Sequence, residues 1–180
     1  TVSFAARNPA DADLAALGRE IGVGVASIAE ATATADIVVL AVPHGALDSV
    51  LAATGPLRGK IVIDCTNAVG KGMALTYGHT DSAAEVLQRK IPDAKVFKSF
   101  NAQGAENLAK PVYGKTAASN FYCGDDEAAR SVVGQLVAQV GFDAVDDAPG
   151  CFIYFHEPRG LGTTLFGHGG SHEAWADVGD

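Results

Sequence analysis

Positive charge is scarce in this chain. Its 180 residues hold 13 Lys and Arg against 21 Asp and Glu, a net charge of −8. That balance argues against non-specific binding to nucleic acid or to an anionic membrane, and the short pair Arg89-Lys90 is no basic patch. Cysteine is sparse too. Cys65, Cys123 and Cys151 are odd in number and form no Cys-x-x-Cys pair, which reads as free thiols in a reducing compartment. No apolar run approaches the ~18 residues that cross a bilayer, and no signal-type leader opens the chain, so the expected location is the cytoplasm. Missing as well are a Gly-x-Ser-x-Gly elbow, a Walker loop and a framed pair of carboxylates. His168, His172 and Glu173 are loosely spaced in a Gly-rich context, and no metal site is expected there.

What is present is apolar mass and regular alternation. Hydrophobic residues make up 48% and charged ones 19%, enough to build the core of one domain. The spacing predicts strands over 2–6, 22–25, 37–42, 60–64, 95–100, 119–123 and 142–145. Between them it predicts helices over 11–21, 27–33, 46–53, 81–91, 104–109 and 125–140. Ile37-Val38-Val39-Leu40-Ala41-Val42 is apolar at every position, as a central parallel strand buried on both faces should be. Strands alternating with helices imply βαβ units, an α/β fold with an open parallel sheet and helices on both faces. From about Gly150 the pattern stops: the remaining text is rich in Gly, His and aromatics and keeps neither period. The expected organisation is therefore a Rossmann-like domain over 1–147 and an atypical, irregular tail over 148–180.

Ligands of open parallel sheets bind outside the C-terminal ends of the strands. That rule singles out Ala6-Arg7-Asn8, Ala41-Val42-Pro43-His44, Asp64-Cys65-Thr66-Asn67 and Ser99-Phe100-Asn101. Gly22-Val23-Gly24-Val25-Ala26-Ser27 resembles a dinucleotide fingerprint, but Ser27 stands at its third Gly and a helix precedes it, so it is rejected. Arg7 has a better claim. A basic residue after the second strand of a dinucleotide fold accommodates a 2′-phosphate, and a guanidinium offers that phosphate two charge-assisted bonds. The competing reading is a surface Arg near a helix start. Pro43 ends its strand and lets the backbone pass flat against a ring-shaped ligand; the competing reading is a plain strand stop before a helix. Cys65 has no partner in sequence and is expected to be an inert thiol.

Five runs taken in order, SFAARNP, ADIVVLAVPHGAL, GKIVIDCTNAVG, KVFKSFNAQGAENL and FYCGDDEAARSVVGQLVAQVGFDAVD, resemble the NADP-binding domain of the coenzyme F420-dependent NADP oxidoreductases. The reductase domain of the STEAP metalloreductases and pyrroline-5-carboxylate reductase are more distant likenesses. The resemblance implies NADP(H) as cofactor and Arg7 and Asn8 at the NADP-selecting position. It implies Ala41, Val42 and Pro43, with His44 beside them, along the nicotinamide ribose. Asn67 and Ala68 would fall near the nicotinamide pocket, and Asn101 and Ala102 on its facing wall. It further implies that the chain starts at the family's second strand, so the fold would be a truncated Rossmann-like sheet.

The implied function is hydride transfer between nicotinamide and a second redox cofactor or small acceptor, with F420 as co-substrate. No catalytic acid or base is required. The alternative is a nucleotide-binding-fold fragment with little or no activity. Expected partners are small molecules and a second copy of the chain, without nucleic acid, membrane or metal.

Overall fold

The computed structural model describes residues 1–70, 76–77, 81–146, 151–156 and 163–168. The first strand, β1 (Ser3–Ala6), leads into helix α1 (Ala12–Ile21). Asp11 starts that helix: its carboxylate accepts from the backbone N–H groups of Asp13 and Leu14, satisfying donors that the first turn leaves open. Gly22 ends it in the left-handed conformation, φ 74°, which glycine adopts without strain. Strand β2 (Gly24–Ser27) follows and pairs parallel with β1. Ser27 and Glu30 close a reciprocal capping box on α2 (Ile28–Thr34).

The main sheet begins with β3 (Ile37–Leu40). A single 3₁₀ turn, His44–Ala46, leads to α3 (Leu47–Ala53), then β4 (Ile61–Asp64), α4 (Ala83–Lys90) and β5 (Lys95–Ser99). A short α5 (Ala105–Ala109) and a small hairpin of β6 (Val112–Tyr113) and β7 (Thr116–Ala117) come next. The domain then continues through β8 (Ser119–Gly124), α6 (Glu127–Val140) and β9 (Asp143–Asp146). The sheet order is β3-β4-β5-β8-β9, and β1-β2 form a separate two-stranded sheet.

Alternation along β4 and β5 builds two cores on opposite faces. Val62 and Val96 pack with Val38 and Leu40 under Leu47 of α3 and Leu87 of α4. Ile63 and Phe97 face the other way and pack with Ala129, Val133 and Val137 of α6. The α/β class with helices on both faces is as the sequence predicts.

One strand departs from the parallel expectation. β8 pairs antiparallel with β5, Lys98 opposite Cys123. A parallel return needs a crossover of a dozen or more residues, usually a full helix. Here the connection contains only the five-residue α5 and a hairpin, and the chain comes back in the opposite sense.

Two hairpins lie where no element was expected. One is β6–β7; the other joins β10 (Cys151–His156) and β11 (Thr163–His168), antiparallel, within the segment read as aperiodic. The boundary at 147/148 and the residues His172 and Glu173 lie outside the described residues. Cys65 is a free thiol. Cys123 is disulfide-bonded, which corrects the expectation of free thiols throughout.

Candidate functional site

Strands β3, β4 and β5 run parallel and in register: Leu40 neighbours Asp64, and Asp64 neighbours Lys98. Their C-terminal ends therefore open on one edge of the sheet. Onto that edge the fold brings Ala41 to His44, Asp64 to Ala68, and Phe100 to Ala102.

Two of the predicted residues form a latch. Asn67 Nδ2 donates to the backbone carbonyl of Asn101 at 3.0 Å, and Asn101 Nδ2 donates back to Asn67 Oδ1 at 3.1 Å. Asn101 is only 7% exposed, and its Oδ1 has no hydrogen-bond partner. A buried carbonyl oxygen without a donor is costly, and an N–H or O–H of a bound ligand would satisfy it. The residue before it, Phe100, has φ 61°, a left-handed backbone uncommon for a bulky side chain. Such strain concentrates at functional sites. Its ring packs on Phe142, centroids 6.3 Å apart.

His44 is half-buried, its Nδ1 3.2 Å from Thr66 Oγ1, and its ring meets Tyr77 edge-on with centroids 5.7 Å apart. Burial pushes its pKa down; the Asp64 carboxylate opposes that shift and the Lys98 ammonium adds to it. Beneath Thr66 lies an ion pair the sequence reading did not single out. Asp64 and Lys98 are both buried, 2.9 Å apart. Burial lowers the Lys98 pKa against the pull of Asp64. Between these groups the Cys65 thiol is pushed up to about 12, first by burial and then by Asp64. It stays protonated near neutrality and is a poor nucleophile, as expected.

Arg7 and Asn8 stand apart from this cluster. They follow β1 in the smaller sheet, and both are exposed. Asn8 Oδ1 accepts from Ala10 N–H at 3.2 Å. Among the described residues Arg7 has no hydrogen bond or ion pair to the other predicted residues. Ala41 and Pro43 are exposed and Val42, Ala68 and Ala102 partly buried, all on the strand-end edge.

A cavity of about 590 Å³ lined by Leu51, Pro56, Leu57, Ile91 and Ala94 lies at the opposite end of the sheet, where β4 and β5 begin. A smaller one, about 200 Å³, is lined by His44, Leu47, Tyr77 and Leu87 and borders the strand ends.

A mostly parallel sheet, helices on both faces and polar residues gathered at the strand ends define a Rossmann-like α/β domain of the dinucleotide-binding class. The family model for coenzyme F420-dependent NADP oxidoreductases matches residues 1–68. A crystal structure from Arthrobacter sp. fb24, assigned as an F420-dependent NADP-reductase, is 32% identical with a TM-score of 0.72, covering 82% of this chain and 74% of that one. The chain belongs to the F420-dependent NADP oxidoreductase family. A hypothetical protein from Sinorhizobium meliloti is 28% identical, TM-score 0.71, covering 80% of this chain and 71% of that one. A reductive aminase from Aspergillus terreus, solved with NADPH4, is 21% identical with a TM-score of 0.55, and the match covers 77% of this chain and 44% of that enzyme. At that identity the likeness is one of fold.

Proposed function

We propose that this chain binds NADP(H) across the C-terminal ends of its strands and serves hydride transfer between the nicotinamide and a second redox cofactor of the F420 type. The observation that carries the reading is the Asn67–Asn101 latch with its unsatisfied Asn101 Oδ1. It sits at the strand ends where dinucleotides bind in this class of fold. Family membership supports the choice of NADP and F420 chemistry, and the guanidinium of Arg7 after β1 supports a 2′-phosphate.

In this reading the nicotinamide supplies the hydride chemistry, and the protein supplies orientation and a dry crevice. Arg7 holds the 2′-phosphate with Asn8 beside it. Ala41, Val42 and Pro43 pass the nicotinamide ribose, with His44 at their end. Asn67, Ala68, Asn101 and Ala102 enclose the ring. Titration with NADPH and NADH tests this directly. Saturable binding that prefers NADPH, with the preference lost in Arg7→Ala, is the expected result; equal, non-saturable responses would sink it.

A second reading, a nucleotide-binding-fold fragment with little or no activity, is favoured by one observation: among the described residues no strand joins β1 to β3. A chain that is folded by circular dichroism and shows neither saturable NADPH binding nor hydride transfer would select it.

A further inference from the structure

Two charged residues lie where the sheet has no structural use for them. Along β4 and β5 the neighbouring positions Val62, Ile63, Val96 and Phe97 are apolar and buried. Asp64 and Lys98, paired in register, are 0% and 4% exposed. Desolvating an ion pair is expensive, and aliphatic residues of similar volume commonly serve stability as well or better.

What the pair does is grip one residue. Lys98 Nζ donates to Asp64 Oδ2 and to the carbonyl oxygen of Thr66, while Asp64 Oδ1 accepts from the Thr66 N–H at 2.9 Å. Both backbone polar groups of Thr66 are thus fixed, and its hydroxyl is delivered to His44 Nδ1. The charged groups around His44 are Asp64, Lys98, Lys90 and Asp48. Lys90 is itself paired with Asp48. The Thr66 hydroxyl is the directed polar contact that remains.

We propose that Lys98 is a positioning residue of the transfer site: acting through Asp64 and Thr66, it fixes the plane of the His44 imidazole at the nicotinamide end of the crevice. The proposal rests on the NADP(H) reading for its catalytic consequence, but its structural core is testable without nucleotide.

The experiment is ¹⁵N-edited imidazole NMR on the ligand-free full chain, with the His44 signals assigned through His44→Gln. In the wild type the His44 Nδ1 signal is expected to shift on Thr66→Val, which deletes the hydroxyl beside it. In the double variant Lys98→Met/Asp64→Leu, folded by circular dichroism, the same shift of the His44 Nδ1 signal is expected, as loss of the Thr66 contact requires. Hydride-transfer kcat should then fall about tenfold or more while NADPH Kd stays within about twofold, as misplacement rather than lost binding predicts. An unchanged His44 spectrum in the folded double variant overturns the proposal, and so does a His44 spectrum that Thr66→Val leaves unchanged. If the double variant does not fold, Lys98→Met/Asp64→Asn removes both charges and the donor to the Thr66 carbonyl while keeping an acceptor for the Thr66 N–H, and the same two spectra decide. A wild type that binds no NADPH defeats the functional reading and leaves the imidazole measurement standing.

Discussion

Asn67 and Asn101 hold each other across the open ends of β4 and β5, each side-chain amide donating to the other residue. The exchange uses every polar atom at the contact except Asn101 Oδ1, which stays buried and unpartnered. Leaving such an acceptor unmade costs about 1–3 kcal/mol.

That asymmetry makes Asn101→Leu informative. The substitution loses a hydrogen bond worth about 1 kcal/mol and removes an unsatisfied acceptor of at least equal cost. The ligand-free protein is therefore expected to unfold at nearly the same urea concentration as wild type, with NADPH affinity about tenfold weaker. A large loss of stability with unchanged affinity would show that Asn101 serves the fold alone.

Phe100 aims this latch. Its φ of 61° places an L residue in the left-handed region, at a cost of roughly 1–2 kcal/mol, and β-branching is the worst case there. Phe100→Ile should therefore be less stable than Phe100→Leu by about 1 kcal/mol, although the two side chains have similar volume. Equal denaturation midpoints for the two variants would mean that the backbone at this position is not constrained.

How much of this was legible beforehand follows from which signals are local. The run IVVLAV and the capped helices declare themselves through period and turn chemistry, so the alternating elements were readable with ends shifted by a residue or two. The antiparallel β8 was not, because strand direction depends on a connection whose helix is too short to announce a crossover. The site was half readable. Asn67 and Asn101 sit at strand ends that the fold class already marks. Asp64 is the lone charge of β4 and Lys98 follows the apolar Val96-Phe97 in β5, and only register makes the two neighbours. The Phe100 backbone angle and the partner of the His44 ring have no counterpart in composition or spacing.

His44 gives a pH prediction with a definite sign. Burial holds its folded-state pKa below the ordinary value of about 6.5, so the unfolded chain binds the proton more readily than the native one. Stability then rises with pH across the interval between the two values. Its contribution is present in full above about pH 6.5 and is lost as pH falls toward the folded-state value. Urea unfolding of wild type and His44→Gln between pH 5 and 8 should show a steeper loss on the acid side for wild type. Parallel curves would remove His44 from the linkage.

Val39 tests the free edge of the main sheet. It shares a face with Ile63 and Phe97, which are buried under α6, yet Val39 itself is 50% exposed. Among the described residues β3 pairs with β4 on one side and with no strand on the other. An apolar strand with an unpaired edge is a template for association, and a lysine there is a common natural safeguard. Val39→Lys should weaken concentration-dependent self-association in sedimentation velocity, while shifting stability by no more than about 0.5 kcal/mol, as for an ordinary surface change. Identical association in both proteins, or a wild type that stays monomeric at every concentration, would show that this edge is not where copies of the chain meet.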